Sequence, residues 1–175
     1  TLSLTGTDVA SGFDKTQIRL ITFVADQLNA GASGTLTVET KGLDYTPGIS
    51  GTTYTQSALT SLPGAPVVGS GKGDTNANST VTTSQTSAQN FSMAYALTDA
   101  VDFGFTTLSF VPTQTLSSGI VLAATVATGK KIKVEVKDVN GKIADYYLVG
   151  TGAKLNYTLS LTGTDVASGF DKTQI

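Results

Sequence analysis

The chain contains 175 residues, carries a formal net charge of −2 and has neither cysteine nor histidine. Without cysteine it has no disulfides or thiol nucleophiles, and without histidine a Ser-His-Asp or Cys-His catalytic site is excluded within it. The weak negative charge leaves no basic surface for phosphate groups, so we expect no nucleic acid partner. No apolar run approaches the ~18 residues that cross a bilayer, so we expect no membrane insertion in this segment.

Residues 1–18 (TLSLTGTDVASGFDKTQI) recur letter for letter as residues 158–175, which fixes a period of 157 residues. Solenoid and propeller repeats have periods of ~20 to 50 residues, so each repeat here should fold around its own core. We therefore expect the chain to be one full repeat and the beginning of the next, taken from a tandem array.

The composition favours an all-β protein, because 30 residues are Thr and 16 are Ser whereas only 14% are charged. Thr and Val fit a pleated, half-buried surface, and the 19 Gly supply turns. We predict a jelly-roll-like antiparallel β-sandwich of about nine strands, with no long helices.

In chain order, the turn residues of segment 5–17 predict a connecting loop, with one helical turn at 13–16. The apolar run 18–25 then predicts a central strand covered on both faces. Alternating Leu36 and Val38 predict the next strand. Pro, Gly, Ser and Thr gather in 46–61, which predicts a linker, and 69–79 predicts a second loop.

Period-two alternation predicts most of the later strands. The alternating apolar residues are Phe91, Met93, Tyr95 and Leu97, then Leu108 and Phe110, then Leu155, Tyr157, Leu159 and Leu161. Two further stretches, near 80–84 and 119–127, are also predicted strands and bring the number to about nine.

A hairpin is predicted where the strictly alternating segment 131–137 (KIKVEVK) runs into Asp138-Val139-Asn140-Gly141. Asn-Gly tolerates the positive φ of a type I′ turn, and 143–149 is the expected partner strand. The register stays open, because a two-residue and a longer loop place Tyr146 and Tyr147 on opposite faces.

These elements predict that the chain has three parts. Residues 1–45 are the C-terminal part of a sandwich, 46–61 the linker, and 62–175 the N-terminal and middle part of the next sandwich, or of the same one. In the second case the natural domain runs from about Leu62 through Leu161 and resumes at Arg19. It closes near Tyr45, so the chain is circularly permuted relative to the natural repeat.

Five segments share an order of strands and turns, namely KIKVEVKDVNG at 131–141, ADYYLV at 144–149, NYTLSLTG at 156–163, GFDKTQIRLITFVAD at 12–26 and GTLTVETKGLDY at 34–45. In this order they resemble the galactose-binding-like jelly rolls among carbohydrate-binding modules. The resemblance covers about half the repeat and bears on the fold more than on function.

The resemblance implies a sugar ligand stacked on an aromatic ring. Family members usually use Trp or Tyr, and this chain has no Trp, so Tyr54, Tyr146 and Tyr147 are the candidate glycan contacts. The alternative is that these Tyr residues are half-buried strand residues with the hydroxyl at the surface.

A structural Ca²⁺ between an early loop and the last strand is also implied by the resemblance. Asp74 and Asp44 are the candidate ligands, together with backbone carbonyls. The sequence has no DxDxDG-type spacing, and the alternative is that Asp74 orders its own turn through an Asx hydrogen bond.

Two further polar patterns bear on function. The nearest carboxylate pairs for glycosidic hydrolysis are Asp99 with Asp102 and Asp138 with Asp145, but acids beside turns usually cap or are solvated. We therefore predict that the protein is not an enzyme.

Asn-x-Ser/Thr sequons are glycosylation candidates in a cell that glycosylates exported chains, and they lie at Asn78, Asn90 and Asn156.

A tandem array multiplies length and avidity, whereas one active site needs no copies. We therefore expect a structural repeat of an extracellular or cell-surface fibre, stalk or surface layer, whose partners are neighbouring copies of itself. The alternative is a carbohydrate-binding adhesion module with a polysaccharide partner. A third function, ice or mineral binding by outward Thr, has only the short segment 35–40 to support it.

The duplicated ends define the seam at which units would join. A jelly roll has one slot for segment 1–18, so the two copies should fill equivalent slots in two sandwiches, unless one takes a second place. In the first case 1–45 completes a neighbouring unit by strand addition. Packing of 19–45 into the chain's own 62–161 sandwich, with 158–175 free, would exclude a polymer of separate subunits. The predicted seam residues are Thr1, Leu2, Leu4, Ile18, Thr158, Leu159, Leu161 and Ile175.

Overall fold

A computed structural model of the chain describes residues 2–5, 8–10, 12–42, 67–73, 78–87, 90–114 and 120–160. These residues form one short helix and twelve strands. The elements are β1 Leu2–Thr5, β2 Asp8–Val9, β3 Ile18–Asp26, α1 Gln27–Ala30, β4 Ser33–Gly42, β5 Val67–Gly73, β6 Thr80–Ser87, β7 Asn90–Ala96, β8 Phe103–Gln114, β9 Ile120–Thr125, β10 Lys131–Asp138, β11 Ile143–Val149 and β12 Lys154–Ser160.

The strands form two sheets. Sheet A has the order β1-β12-β9-β4-β7-β6, and sheet B has the order β2-β11-β10-β3-β8-β5. Five strands of sheet A are antiparallel to their neighbours, and β1 is added parallel to β12 at one edge. All pairs in sheet B are antiparallel. The all-β sandwich predicted from the sequence is therefore confirmed.

The core lies between the sheets, because alternate residues of each strand point toward it. On β10 the predicted inward residues Ile132, Val134 and Val136 are all buried. Phe23 of β3 meets Phe91 of β7 edge to face, with ring centroids 5.3 Å apart. This contact joins β3 of sheet B to β7 of sheet A across the core.

Strands β3 and β4 lie inside the sandwich that the later strands form. In sheet B, β3 lies between β10 and β8, and in sheet A, β4 lies between β9 and β7. Both edges of each strand are therefore paired within this chain. In this structure residues 19–42 complete the chain's own sandwich and not a neighbouring one.

The β10–β11 hairpin settles the register that the sequence left open. Its loop spans residues 139–142, with Gly141 at φ 79°, and Val134 pairs with Tyr146. This longer loop turns Tyr146 into the core, where it is fully buried, and leaves Tyr147 half-buried on the outer face of sheet B. Burial raises the pKa of both phenols.

Two strands lie where the sequence predicts loops. β2 lies within the loop predicted at 5–17, and β5 extends into the stretch predicted as a second loop. The glycines of β5 explain the second error. A Cβ on Gly71 or Gly73 would collide with the rings of Phe105 or Phe103, so these glycines are covered by cross-strand aromatic rings.

The contact between Phe23 and Phe91 leads to a prediction about stability. Phe23→Ala should lower the free energy of unfolding by about 3–5 kcal/mol, because it opens a cavity where the two sheets meet. Urea unfolding followed by circular dichroism measures the change. The control Leu28→Ala, at a side chain that is 82% exposed, should change the free energy by less than about 0.5 kcal/mol. Equal losses in the two variants would contradict the assignment of Phe23 to the core.

Candidate joint at the repeated segment

The N-terminal copy of the repeated segment lies along one side of the sandwich, where it covers an edge of each sheet. β1 lies on the outer edge of β12 in sheet A, and β2 lies on the outer edge of β11 in sheet B. We call the groups that hold this copy the joint slot. The joint slot consists of the outer edges of β11 and β12 and the turn residues 138–142.

β1 pairs with β12 in a parallel register that places Leu4 opposite Leu159 and Thr5 opposite Ser160. The identical counterpart of Leu159 is Leu2, so the pairing is offset by two residues from a match of identical positions. Side chains alternate between the two faces of a strand, so an offset of two residues keeps identical residues of the two copies on the same face of sheet A. Leu159 itself is fully buried.

The chain then crosses to sheet B. Asp8 and Val9 of β2 pair with Asp145 and Ala144 of β11. The amide of Ala10 donates to the carbonyl of Ile143 at 2.9 Å. The repeated segment therefore covers the β11 edge with backbone hydrogen bonds, which do not depend on side-chain identity.

Asp138 fastens the segment to the hairpin turn. Its carboxylate is fully buried; Oδ2 accepts from the Asp14 amide at 2.8 Å, and Oδ1 accepts from the amides of Asn140 and Lys142, each at 2.8 Å. Hydrogen bonds to a charged group contribute about 1.5–3 kcal/mol each. One side chain therefore holds both the turn and the repeated segment.

A second carboxylate orders the segment just before β3. Asp14 Oδ1 accepts from the Thr16 hydroxyl at 2.6 Å and from the Thr16 amide at 2.9 Å, while Oδ2 accepts from Gln17 Nε2 at 2.9 Å. These hydrogen bonds, that of the Thr16 hydroxyl first, lower the pKa of Asp14 from its usual 3.8. The Gln17 carbonyl then accepts from the Val139 amide at 2.9 Å.

Apolar contacts complete the joint. Phe13 is half-buried and packs against the core, and Ile18, which begins β3, is fully buried.

Of the predicted seam residues, Leu2 and Leu4 lie in β1, and Thr158 and Leu159 lie in β12. Thr1, Leu161 and Ile175 lie outside the described residues.

A buried ion cluster adjoins the joint on the outer face of sheet B. Lys133 is 4% exposed, and its Nζ lies 2.8 Å from Glu135 Oε1 and 3.2 Å from Asp145 Oδ2. Burial opposes the charge on Lys133, but the two carboxylates prevail and raise its pKa. The alternation of 131–137 predicts that Lys133 points outward, but it cannot predict burial by cross-strand neighbours.

The sugar and calcium candidates do not form one site in the described part of the chain. Tyr146 is fully buried and offers no ring surface to a sugar, whereas Tyr147 is half-buried on the outer face. Tyr54, Asp44 and Asp74 lie outside the described residues. Among the residues that are described, no group of three Asp or Glu residues could hold a metal ion.

Asp102, one of the candidate catalytic acids, belongs to a hydrogen-bond network within the fold. Asp102 is fully buried and its Oδ2 accepts from the Ser79 hydroxyl at 2.7 Å and from the Thr98 hydroxyl and the Asp99 amide, each at 3.0 Å. This network ties the beginnings of β6 and β8 to the end of β7. Of the sequons, Asn78 and Asn156 are exposed, and Asn90 begins β7.

An aromatic pair that the sequence did not single out lies on the outer face of sheet B. Phe103 and Phe105 stack with ring centroids 6.3 Å apart and an interplanar angle of 28°. Both rings cover glycines of β5, and both side chains are half-buried. The sequence signal for this pair was its spacing of two residues in a segment rich in aromatic residues, because residues two apart in a strand share a face.

Comparisons with protein family models, with curated proteins and with solved structures found no match. The fold itself is a mostly antiparallel β-sandwich in which the first copy of an exact internal repeat covers one edge of each sheet. No helix in the described ranges is both long and apolar enough to span a membrane.

Asp138→Ala should lower the free energy of unfolding by at least about 3 kcal/mol, because three amides lose a charged acceptor at a buried site. Hydrogen exchange should speed up at the amides of Asp14, Asn140 and Lys142. Asn140→Ala, at an exposed position in the same turn, is the matched control. Fast exchange at Asn140 and Lys142 with Asp14 still protected would show that Asp138 does not hold the segment.

The lowered pKa of Asp14 predicts that the stability of the fold depends on pH. Its folded-state pKa lies below the unfolded value, so its stabilising contribution is present above about pH 4 and is lost as the pH falls through the lower folded-state pKa. In a double-mutant cycle, the coupling between Asp14→Asn and Thr16→Val should shrink steadily when unfolding is measured from about pH 5 to pH 2. Coupling that does not change with pH would contradict an ionised Asp14 in this turn.

Proposed function

We propose that this chain is a structural repeat of an extracellular fibre, stalk or surface-layer protein, in which units follow one another in a continuous tandem chain. The proposal rests on what the repeated segment does at each of its ends. Thr158, Leu159 and Ser160 are the first residues of one copy and the last residues of β12. Ile18 is the last residue of the other copy and the first residue of β3.

One copy of the segment can therefore finish one sandwich and begin the next. A tandem chain with this period would leave no separate spacer between β12 of one unit and the joint slot of the next. The packing of β3 and β4 within this chain's own sandwich supports covalent linkage over strand exchange between separate subunits. Partners of each unit are then its two neighbours in the chain.

The position of the segment also suits a protein that carries tension. Force that arrives through the segment reaches Ile18, where β3 begins with both edges paired. Extraction of β3 requires the hydrogen bonds to β8 and β10 to break together in shear. The buried Asp138 carboxylate adds a further anchor just before that point.

Chains of two and four complete repeats test this proposal. Negative-stain microscopy should show rods whose length grows with the number of repeats, because each unit folds separately. In single-molecule stretching, each unfolding event should lengthen the chain by on the order of 500 Å, since 157 residues extend by ~3.4 Å each. Compact particles without regular steps would contradict a fibre or stalk.

The stacked pair of Phe103 and Phe105 favours a second candidate function, a carbohydrate-binding adhesion module. Two roughly parallel, half-buried rings on the outer face of sheet B can offer their exposed parts to pyranose rings. Asp26 pairs with Phe103, and Asn29 donates to Asp26, so polar groups adjoin the rings. The polysaccharide would then lie across the outer face of sheet B, away from the core.

A glycan array with the unmodified protein, followed by titration calorimetry, tests this second function. Phe103→Ala and Phe105→Ala should each weaken binding by about tenfold, because each removes a stacking surface. Val139→Ala, 40% exposed and at the opposite end of the sheet, is the control and should leave binding unchanged. An array without any bound glycan would contradict this function and leave the structural role untouched.

A further inference from the structure

A buried amine and a buried carboxylate lie in contact on the outer face of sheet B, at Lys133 and Asp145. We propose that these two side chains condense to an isopeptide bond, a covalent amide that links β10 to β11, and that Glu135 transfers the proton. The bond forms within one unit, so this inference goes beyond the proposed function and does not depend on it.

The strand register brings the three side chains together. Glu135 and Asp145 are direct cross-strand partners, and Lys133 precedes Glu135 by two residues on β10. Residues two apart in a strand share a face, so all three side chains lie on the outer face of sheet B. There Lys133 Nζ lies 2.8 Å from Glu135 Oε1 and 3.2 Å from Asp145 Oδ2. The amine therefore contacts both carboxylates at once.

The cluster is shielded from water. Lys133 and Asp145 are each 4% exposed, and the side chain of Glu135 is 13% exposed. Their neighbours on β3 are buried too, because Val24 pairs with Lys133 and Thr22 pairs with Glu135. Burial adds little to the stability of an ion pair, since desolvation offsets the attraction. Exclusion of water does favour an amide, because it suppresses hydrolysis.

The distance between the two groups suits attack by the amine. Reacting groups held about 3–3.5 Å apart in the right orientation reach effective concentrations of about 10⁵–10⁸ M. Asp145 Oδ2 lies 3.2 Å from Lys133 Nζ, and the carbon that is attacked, Cγ, is bonded to this oxygen. Such proximity offsets the cost of condensing an amine with a carboxylic acid.

The amine must first lose its proton. Burial opposes the charge on Lys133, whereas the hydrogen bond to Glu135 and the charges of both carboxylates favour it, and the net effect raises its pKa. Lys133 therefore becomes a nucleophile only when its proton moves within the cluster. Glu135 accepts this proton from Nζ and passes it to Asp145, so that a neutral amine meets a neutral carboxyl group.

The reaction balances without any further reactant. Nζ of Lys133 forms a bond to Cγ of Asp145, and one C–O bond of that carboxyl group breaks. The oxygen leaves as water, and both hydrogens of this water come from the ammonium group of Lys133. Glu135 ends as the carboxylate that it was at the start.

The cross-link would close the hairpin that holds the repeated segment. The ring that it forms includes Asp138 and the turn at 139–142. Since the chain has no cysteine, a disulfide cannot supply this link. With the isopeptide bond in place, β10 and β11 cannot separate at this point when the unit is stretched.

Mass spectrometry of the denatured, unmodified chain tests the bond. The intact mass should lie below the mass of the sequence by one water molecule. Trypsin should not cleave after Lys133 and should release residues 132–137 joined to residues 143–154. Normal cleavage after Lys133 would overturn the bond, whether the chain has its full mass or has lost water elsewhere.

Variants assign the roles of the three residues. Lys133→Arg should restore the full mass, because a guanidinium does not lose its proton in proteins. Glu135→Gln should restore it as well, because an amide cannot transfer the proton. Lys131→Arg, at an exposed position on the same strand, is the matched control and should keep the cross-link.

Equal circular dichroism spectra of the three variants check that each of them folds. A cross-link between the same two peptides in the Glu135→Gln variant would overturn the role of Glu135 in proton transfer. Loss of the cross-link in the folded Lys131→Arg control would overturn the assignment to Lys133. The length of tandem chains does not affect these masses, so this test and that of the proposed function can fail separately.

Discussion

The buried carboxylate of Asp138 is the interaction on which the joint and the adjacent fold depend. It accepts hydrogen bonds from the turn that closes β10 and β11 and from the segment that leads into β3. Since β10 is itself paired with β3, the same side chain fixes both partners of a central strand pair at one end. The hairpin register and the position of the repeated segment are therefore set together.

The placement of β3 and β4 makes each sheet depend on strands from distant parts of the chain. These two strands come early in the chain, yet their partners lie in β7 to β10. Each sheet is interrupted in its middle until β3 or β4, within residues 18–42, has paired with strands that lie far along the sequence. Such long-range pairing is entropically costly and is expected to make folding slow, which favours a design in which each unit closes its own core.

Patterns of hydrophobicity predicted much of this fold. Strict alternation located β10 and β12, and the apolar run 18–25 correctly indicated a strand with both faces covered. The same patterns could not locate β5, because Gly71 and Gly73 have no side chains to alternate and gain their stability from rings on β8. They also could not fix the loop length at 139–142, on which the inward position of Tyr146 depends.

The candidate joint could be predicted only in part. The exact duplication indicated where units meet, but it could not show which strand edge accepts the segment. Asp138 was visible as an acid beside a turn, yet its contact with the repeated segment depends on the Asp14 amide, which lies 124 residues away in the chain. Long-range partners of this kind leave no local signal in a single sequence.

β1 adds no strand to the middle of a sheet; it covers the open edge of β12. An uncovered strand edge is a template for pairing with other chains. With β1 in place, sheet A ends at a strand of only four residues. A short edge strand offers a small template, and this is one way in which proteins limit sideways association between sheets.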